Sequence, residues 1–536
     1  MATSSSAAVA KVPLWPWLLL ALALGWVALV RVPIVINAQT HLDSDLAVDG
    51  LATADVARGQ WRWHFPATPH IGIASALCAA PQMRIWGATP EALASGGVVA
   101  YSLLVVATLL AAWEAFGLRA ACWSLVPLAF TSNGAVWLSG RLNGGHLLAA
   151  AWHAGALGLF HASVARGGWK RAGILGLWCG LGLWHDTMFL VTVATLVPIG
   201  ALAAWRSGWR AGGWVCAMAA AVGFLLGDAP RELGNRLDPH NAYQDQNALV
   251  FDPELVLEHT RILGALCLPR LLAGHLLPDL STEPPPAALG ARSAGQSVVV
   301  WAEPVAWANT LLALALFGAA LIALVRDGNR PASQDIARSS TRWALLLSSA
   351  LVAAAFVVNK NIFNSDNYRY IIYLFVTWAI GLALALDWLA GRGWKGALMP
   401  TALAFALAAL QTLDTAAWYR RLGWVDAEFQ PVRVPLRDPL LDWLTEHQEV
   451  GSIYGDYWDV YRIMFLTGGR VRGVPTPFWP NRYPEWLRAL PGGRPEVLVV
   501  RPTDQGRHMQ QKARGEGARA LLSTPGLAIY DWPVRP

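Results

Sequence analysis

Apolar runs close to the length of a bilayer crossing alternate along this chain with shorter segments that hold most of its charge. An α-helix rises about 1.5 Å per residue, so about 20 apolar residues cross the hydrocarbon core. Such runs fall at 14–36, 92–113, 120–138, 146–164, 172–184, 187–205, 211–228, 302–325, 342–358, 371–390 and 396–414. They predict a polytopic α-helical membrane module over 1–414 with about eleven spans. The runs 172–184 and 187–205 are short and meet at the His-Asp pair of "GLWHDTMFL". The first run is longer than a signal-peptide core, and no small-x-small cleavage site follows it. It reads as a retained span, with Lys11 on the inner side and Arg31 snorkelling toward the far face.

Four polar segments interrupt this pattern on the side opposite the N-terminus. They are a first outer loop over 38–91, the short "SGRLNGGH", a long outer loop over 229–300, and everything after 415. In the first, "WRWHFPATPHIGIASALCAAPQMRIWG" predicts short interfacial helices, because Pro66, Pro69, Pro81 and Arg84 prevent a span. The third includes the Pro-rich "STEPPPAALGARSAG". In the last, "EVLVVRP" and "LAIYDWP" read as strands and "DPLLDWLTEHQ" as an amphipathic helix. That predicts a small extracytoplasmic α/β C-terminal domain over 415–536.

Composition agrees with the membrane class. Of 536 residues, 55% are hydrophobic and 14% charged, against about 25% charged in soluble domains. The 29 tryptophans suit interfacial anchoring or packing. A net charge of +6 arises from Arg and Lys in short loops, which argues for membrane orientation and against nucleic acid. Arg119, Arg166, Lys170, Arg171, Arg206, Arg210, Arg326, Arg330, Arg338, Arg342, Arg392 and Lys395 all fall on one side if the N-terminus is cytoplasmic. The expected location is the plasma (inner) membrane, multi-pass. The five cysteines are scattered, with no CxxC, which suggests neither a zinc site nor a disulfide framework. No usable P-loop or GxGxxG context occurs, and no internal repeat suggests an inverted-repeat transporter.

The chemistry-bearing stretch is "HLDSDLAVDGLATADVARGQW", with Asp43, Asp45, Asp49 and Asp55 directly after the first span. In a helix Asp45 and Asp49 share one face, where like charges repel. A cation, a neighbouring Arg or a substrate hydroxyl is one compensation. A solvated polar face with Asp43 or Ser44 as N-cap is the ordinary alternative. Arg369 in "SDNYRY" has forked donors suited to phosphate, or simply snorkels. Arg231 and Asn235, just past a span, are candidates for contacting the same ligand. His185 and Asp186 suit a cavity-facing pair or a capped helix end, and Arg141, Asn143 and His146 form a further polar knot.

These segments resemble the integral-membrane glycosyltransferases of the GT-C fold, in the branch of glycosyltransferase family 39 that holds protein O-mannosyltransferases and aminoarabinose transferases. Many bacterial members have a first outer loop reading roughly D-S-D-E-A-V-x-G-L-x-A, then a glycine and A-A-P. Here the matches are Asp43, Ser44, Asp45, Ala47, Val48, Gly50, Leu51 and Ala52, then Gly72 and Ala79-Ala80-Pro81. The likeness extends to "GFLLGDAP" with "GN", to "NYRYIIYLF" including Tyr370, and to "YGDYWDVYRIMFLTGGRV". The resemblance implies transfer of a sugar from a polyprenyl-phosphate donor to an acceptor hydroxyl on a protein, lipid or glycan. It implies an inverting displacement with Asp45 as general base, Asp43 as runner-up and Asp49 one turn away. Donor, membrane lipid and an unidentified acceptor are the expected partners. The resemblance allows a divalent cation near the first-loop acid, although no spacing here demands one. Two positions depart from the pattern: glutamates of the family are replaced by Leu46 and Ser75. The alternatives are a transporter or flippase, a catalytically altered GT-C scaffold, and a polymerase or ligase of cell-surface glycans.

Overall fold

A computed structural model describes residues 13–142, 144–208, 211–241, 248–274, 304–326, 336–391, 394–490 and 495–532. Lys11, Asn143 and the Pro-rich stretch lie outside them. Each of the eleven apolar runs carries a helix. They are α1 (Trp15–Ile36), α4 (Pro90–Phe116), α5 (Leu118–Ala129), α7 (His146–Arg166), α8 (Trp169–His185), α9 (Leu190–Arg206), α10 (Ala211–Leu237), α13 (Pro304–Arg326), α14 (Ile336–Val357), α15 (Tyr373–Ala390) and α16 (Trp394–Arg421). Among the described residues nine are long and apolar enough to cross a membrane; α5 and α8 are shorter. The chain is a polytopic helical membrane protein.

Small residues set the tightest pairing. Glycines of α8 and α10 interleave, so a Cβ at Gly176 would sit on the carbonyl oxygen of Ala220, and one at Gly223 on that of Gly173. Lipid offers no hydrophobic drive for helix association, so close backbone approach supplies it through dispersion. Basic residues gather at one end of the bundle: Arg119 Nε pairs with Asp387 at 2.6 Å, Arg166 pairs with Glu114 at 2.7 Å, and Arg338 and Arg342 lie over the Phe116 ring. Arg31 does not snorkel. It is fully buried, donates to Ser139 Oγ at 2.6 Å and to the Val27 carbonyl at 3.0 Å, and stacks on Tyr101. Its partners lie in the protein interior, which removes the reason to reach for headgroups.

The other end of the bundle is built from the polar segments. After α1 come α2 (Ser44–Ala57), the strands β1 (His64–Phe65) and β2 (Thr68–Gly72), and α3 (Ala80–Trp86). Of the expected short helices, the stretch Ile73–Trp86 forms a 3-10 turn and α3, while the part before it is an antiparallel hairpin. Pro66 and the positive φ of Ala67 make its turn, and Ile71 bridges on to Asp186. A short α6 (Asn133–Ser139) precedes α7. The helix α10 runs beyond the expected span end at 228, so Arg231 and Asn235 lie within a helix and not in a loop. The described part of the long outer loop holds α11 (Pro253–Arg261), a π-turn over Ile262–Cys267 and α12 (Leu268–Ala273). A polar knot locks α12: Asn309 Nδ2 donates to the Ala273 carbonyl and to Asp414, and Gln411 donates to the Leu272 carbonyl at 2.8 Å.

After α16 the chain is stitched back to α1. Asn37 donates to the Val432 carbonyl at 2.8 Å and accepts from the Val434 N–H at 2.7 Å. The C-terminal part contains α17 (Pro439–Glu446), β3 (Ser452–Gly455), α18 (Tyr457–Leu466), β4 (Arg472–Pro475), α19 (Pro484–Arg488), β5 (Val497–Val500), α20 (Asp504–Gly515), β6 (Arg519–Thr524) and β7 (Leu527–Asp531). Its five-stranded sheet has the order β4-β3-β5-β7-β6. Strand β3 pairs parallel with β4 and β5, while β7 pairs antiparallel with β5 and β6. The strands and amphipathic helix expected from sequence are present, in a mixed sheet.

Candidate active site

The helix α2 is where the carboxylates meet their partners. Asp43 is its N-cap, accepting from the Leu46 N–H at 2.9 Å, and alanines favour the turns that follow. The second oxygen of Asp43 pairs with Arg141, whose guanidinium also lies over the Trp137 ring. Asp45, half-buried in the first turn, accepts from the Tyr457 hydroxyl at 2.7 Å. Asp49, one turn on and buried, accepts from the Gly144 N–H at 2.9 Å. Burial pushes the Asp49 carboxyl up to about 8, with Asp45 and Asp43 adding to the rise and Gly144 and Arg482 opposing it. Asp55 is apart from this group, paired with Arg58 and Arg62.

The cations lie around Tyr368. Arg270 stacks on its ring and pairs with Asp366 at 3.1 Å, and Arg141 and Arg369 both act on its hydroxyl. Among the described ion pairs, Arg141 is matched by Asp43 and Arg270 by Asp366. Arg369 instead reaches the Tyr370 hydroxyl at 3.3 Å, and its buried Nε has no hydrogen-bond partner among the described residues. Burial works against the charge of Arg369, yet Tyr370, Asp45 and Asp366 outweigh it and raise its affinity for the proton. Asp45 and Arg369 therefore stand close enough to feel one another, on one side of the bundle.

A histidine group completes the wall. His146 Nδ1 pairs with Asp186 at 2.9 Å, and its ring meets the Tyr370 ring edge-on. Asp186 also caps the turn after it, accepting from the Met188 N–H. Burial opposes the ionisation of Asp186, but His146, Met188 and His185 prevail and lower its pKa. His185 is fully buried against the Gly145 carbonyl at 2.9 Å. Gly145 has φ +77°, and a Cβ there would come within 2.6 Å of the His185 ring. Ser75 Oγ borders the same spot, buried and without a partner, whereas Leu46 is buried in the core. Arg231 spends its fork on Asp228, at 2.8 and 2.6 Å, so it is a weaker phosphate candidate than Arg369. The buried Asn235 Oδ1 has no partner among the described residues, on the helix end that packs against Trp63 and His64. Among the described residues no group of three or more His, Cys, Asp or Glu has metal-binding geometry.

Tyr457, Arg270, Asp366 and Arg482 were not singled out by sequence. The "YGDYWDV" likeness marks the segment of Tyr457 but not its contact. Arg482 donates to the Pro66 carbonyl at the hairpin turn. Chemically, the arrangement offers a half-buried carboxylate within the electrostatic reach of a guanidinium that, among the described residues, pairs with no carboxylate.

No known family profile matches the sequence, and no curated protein matches it. Solved structures do match. ArnT from Cupriavidus metallidurans bound to undecaprenyl phosphate is 12% identical with a TM-score of 0.57, over 96% of this chain and 97% of that one. Its apo state gives 0.59 at the same identity and coverage. An oligosaccharyltransferase from Archaeoglobus fulgidus tethered with an acceptor peptide is 14% identical with a TM-score of 0.50, over 91% of this chain and 69% of that one. The chain thus has the GT-C fold of membrane glycosyltransferases, including the C-terminal mixed sheet.

Proposed function

We propose that this protein is a glycosyltransferase that moves a sugar from a polyprenyl-phosphate donor to an acceptor hydroxyl on the outer face of the membrane. The observation that carries the reading is Arg369, a half-buried guanidinium with no carboxylate among its described ion pairs, within the field of Asp45. A partly buried cation held this way is stabilised by an anion that arrives with a ligand. The structure of ArnT with undecaprenyl phosphate supports a polyprenyl phosphate as that ligand.

In the reaction, the acceptor hydroxyl gives its proton to a carboxylate oxygen of Asp45 while its oxygen attacks the anomeric carbon. The bond from that carbon to the phosphate oxygen breaks, and polyprenyl phosphate departs with the electron pair. Arg369 meets the growing phosphate charge, with Arg141 and Arg270 adding to the local positive field. Tyr370 orients Arg369. Asp43 holds the start of α2 against Arg141. Asp49, neutral below about 8, adds a hydrogen-bonding group without a second charge. His146, Asp186 and His185 form the wall beside Tyr370. Attack opposite the leaving phosphate inverts the anomeric centre.

A second reading, a GT-C scaffold without transfer, is favoured by Leu46 and Ser75, a core side chain and a buried hydroxyl at positions where the resembled family's pattern has glutamates. One experiment separates them. Purified protein in lipid nanodiscs is given a panel of polyprenyl-phosphate sugars and acceptors, and release of polyprenyl phosphate is followed. Transfer by the native protein, lost by at least about 100-fold in Asp45→Asn at unchanged thermal stability, supports the enzyme. No release from any donor supports the scaffold.

A further inference from the structure

We propose that Tyr457, carried by the C-terminal part of the chain, is a positioning residue for Asp45, so that the transferase site is complete only with that part docked. The inference rests on the transferase reading above. The Tyr457 hydroxyl donates to Asp45 Oδ1 at 2.7 Å, across 412 positions of sequence. Tyr457 is itself fixed: it is buried, lies in the first turn of α18 behind the Asp456 cap, and is boxed by the rings of Trp458, Tyr461 and Trp479.

The surrounding contacts show that α18 is seated on α2 and does not merely graze it. A Cβ at Gly50 would come within 2.7 Å of the buried Phe465 ring, so only glycine leaves room for this approach. On the flank, Arg482 donates to the Pro66 carbonyl at 2.7 Å and acts electrostatically on Asp49. Arg62 lies over the Tyr483 ring. The same wall therefore meets α2, the hairpin and the loop between them.

The chemistry gives the contact a purpose. A carboxylate acting as base needs one oxygen free and a fixed orientation. The phenol occupies Oδ1 and leaves Oδ2 for the acceptor proton. A hydrogen bond donated to the charged form also favours ionisation. The titratable groups around Asp45 are Asp43, paired with Arg141, and the buried Asp49 on its own helix, with Arg369 facing it from the 365–371 turn. Tyr457 contacts Asp45 from the C-terminal side. Holding the base in one rotamer raises the fraction of encounters that react.

The test uses the full-length protein. In Tyr457→Phe, kcat falls about 10-fold or more, the donor KM stays within about twofold, and the acid limb of the kcat/KM profile moves to higher pH as Asp45 loses its donor. In Tyr461→Phe, which removes a nearby hydroxyl that bonds Asn481, the acid limb stays in place. Should Tyr457→Phe fold poorly, 3,5-difluorotyrosine at 457 keeps the shape and strengthens the donor, and the acid limb then moves to lower pH. A double-mutant cycle of thermal stability between Tyr457→Phe and Asp45→Ala, which removes the acceptor, is expected to be non-additive whether or not turnover is seen. An unmoved acid limb in an active Tyr457 variant overturns this proposal alone. Absence of transfer by the native protein overturns the transferase reading and this proposal together, and additive stability effects then deny the contact as well.

Discussion

At the scale of single residues, the question raised by four clustered aspartates has four separate answers. Asp43 caps a helix and holds Arg141, Asp55 pairs with surface arginines, Asp45 meets a phenol, and Asp49 is buried against a backbone amide. Asp49 makes a sharp prediction. Its carboxyl is pushed up to about 8 in the fold, against about 4 in an unfolded chain. A raised carboxyl contributes stability that is full below about pH 4 and lost as pH rises through 8. Asp49→Asn should therefore gain in Tm relative to the native protein as pH goes from 5 to 9, measured by thermal unfolding in detergent. A difference that stays flat would show that a cation keeps Asp49 ionised. Sequence marked Asp45 and Arg369 because both sit in recognisable local strings. It missed Tyr457, Arg270 and Asp366 as site residues because their partners lie far away in sequence. Nothing local distinguishes a tyrosine that bonds Asp45 from one that only packs.

At the scale of elements, apolar length was enough to find every helix of the bundle, since lipid leaves a chain few other ways to satisfy its backbone. The first outer loop was harder. Its prolines do exclude a span, and short helices do form over Ile73–Trp86, but around Pro66 and Pro69 the chain is a hairpin, held by Ile71 bridging with Asp186 and Arg482 gripping the Pro66 carbonyl. The end of α10 was placed short because charge was taken as the close of the helix, whereas Arg231 and Asp228 neutralise one another on it. Arg31 was misjudged for the opposite reason: its partners Ser139 and Tyr101 come from other elements. Packing between α8 and α10 can be tested directly. Gly223→Leu forces the helices apart because its side chain would enter the Gly173 carbonyl. The expected result is a loss of about 2 kcal/mol or more, read as lower Tm and poorer yield, while the lipid-facing Leu225→Ala stays near the native value.

At the scale of the whole molecule, the two ends of the bundle differ in kind. One carries Arg119, Arg166, Arg338 and Arg342 with few acids, and the other carries the carboxylates, the hairpin and the sheet. The distribution of Arg and Lys predicts that the first end faces the cytoplasm. Single cysteines placed in a cysteine-free background give the measurement: in intact cells an impermeant maleimide is expected to label Glu428→Cys and spare Ser207→Cys, and the reverse pattern would invert the orientation.

The knot of Asn309, Gln411 and Asp414 bears on how such a chain is made. Asn309 enters the bilayer long before Gln411 and Asp414 are synthesised, yet its Nδ2 donates to both of them and to the end of α12. During biogenesis α13 thus waits with a polar group in an apolar setting, and the last helix closes the assembly as a latch closes a door. A nascent chain halted before residue 411 would present that exposed amide to the insertion and quality-control machinery, marking it as unfinished.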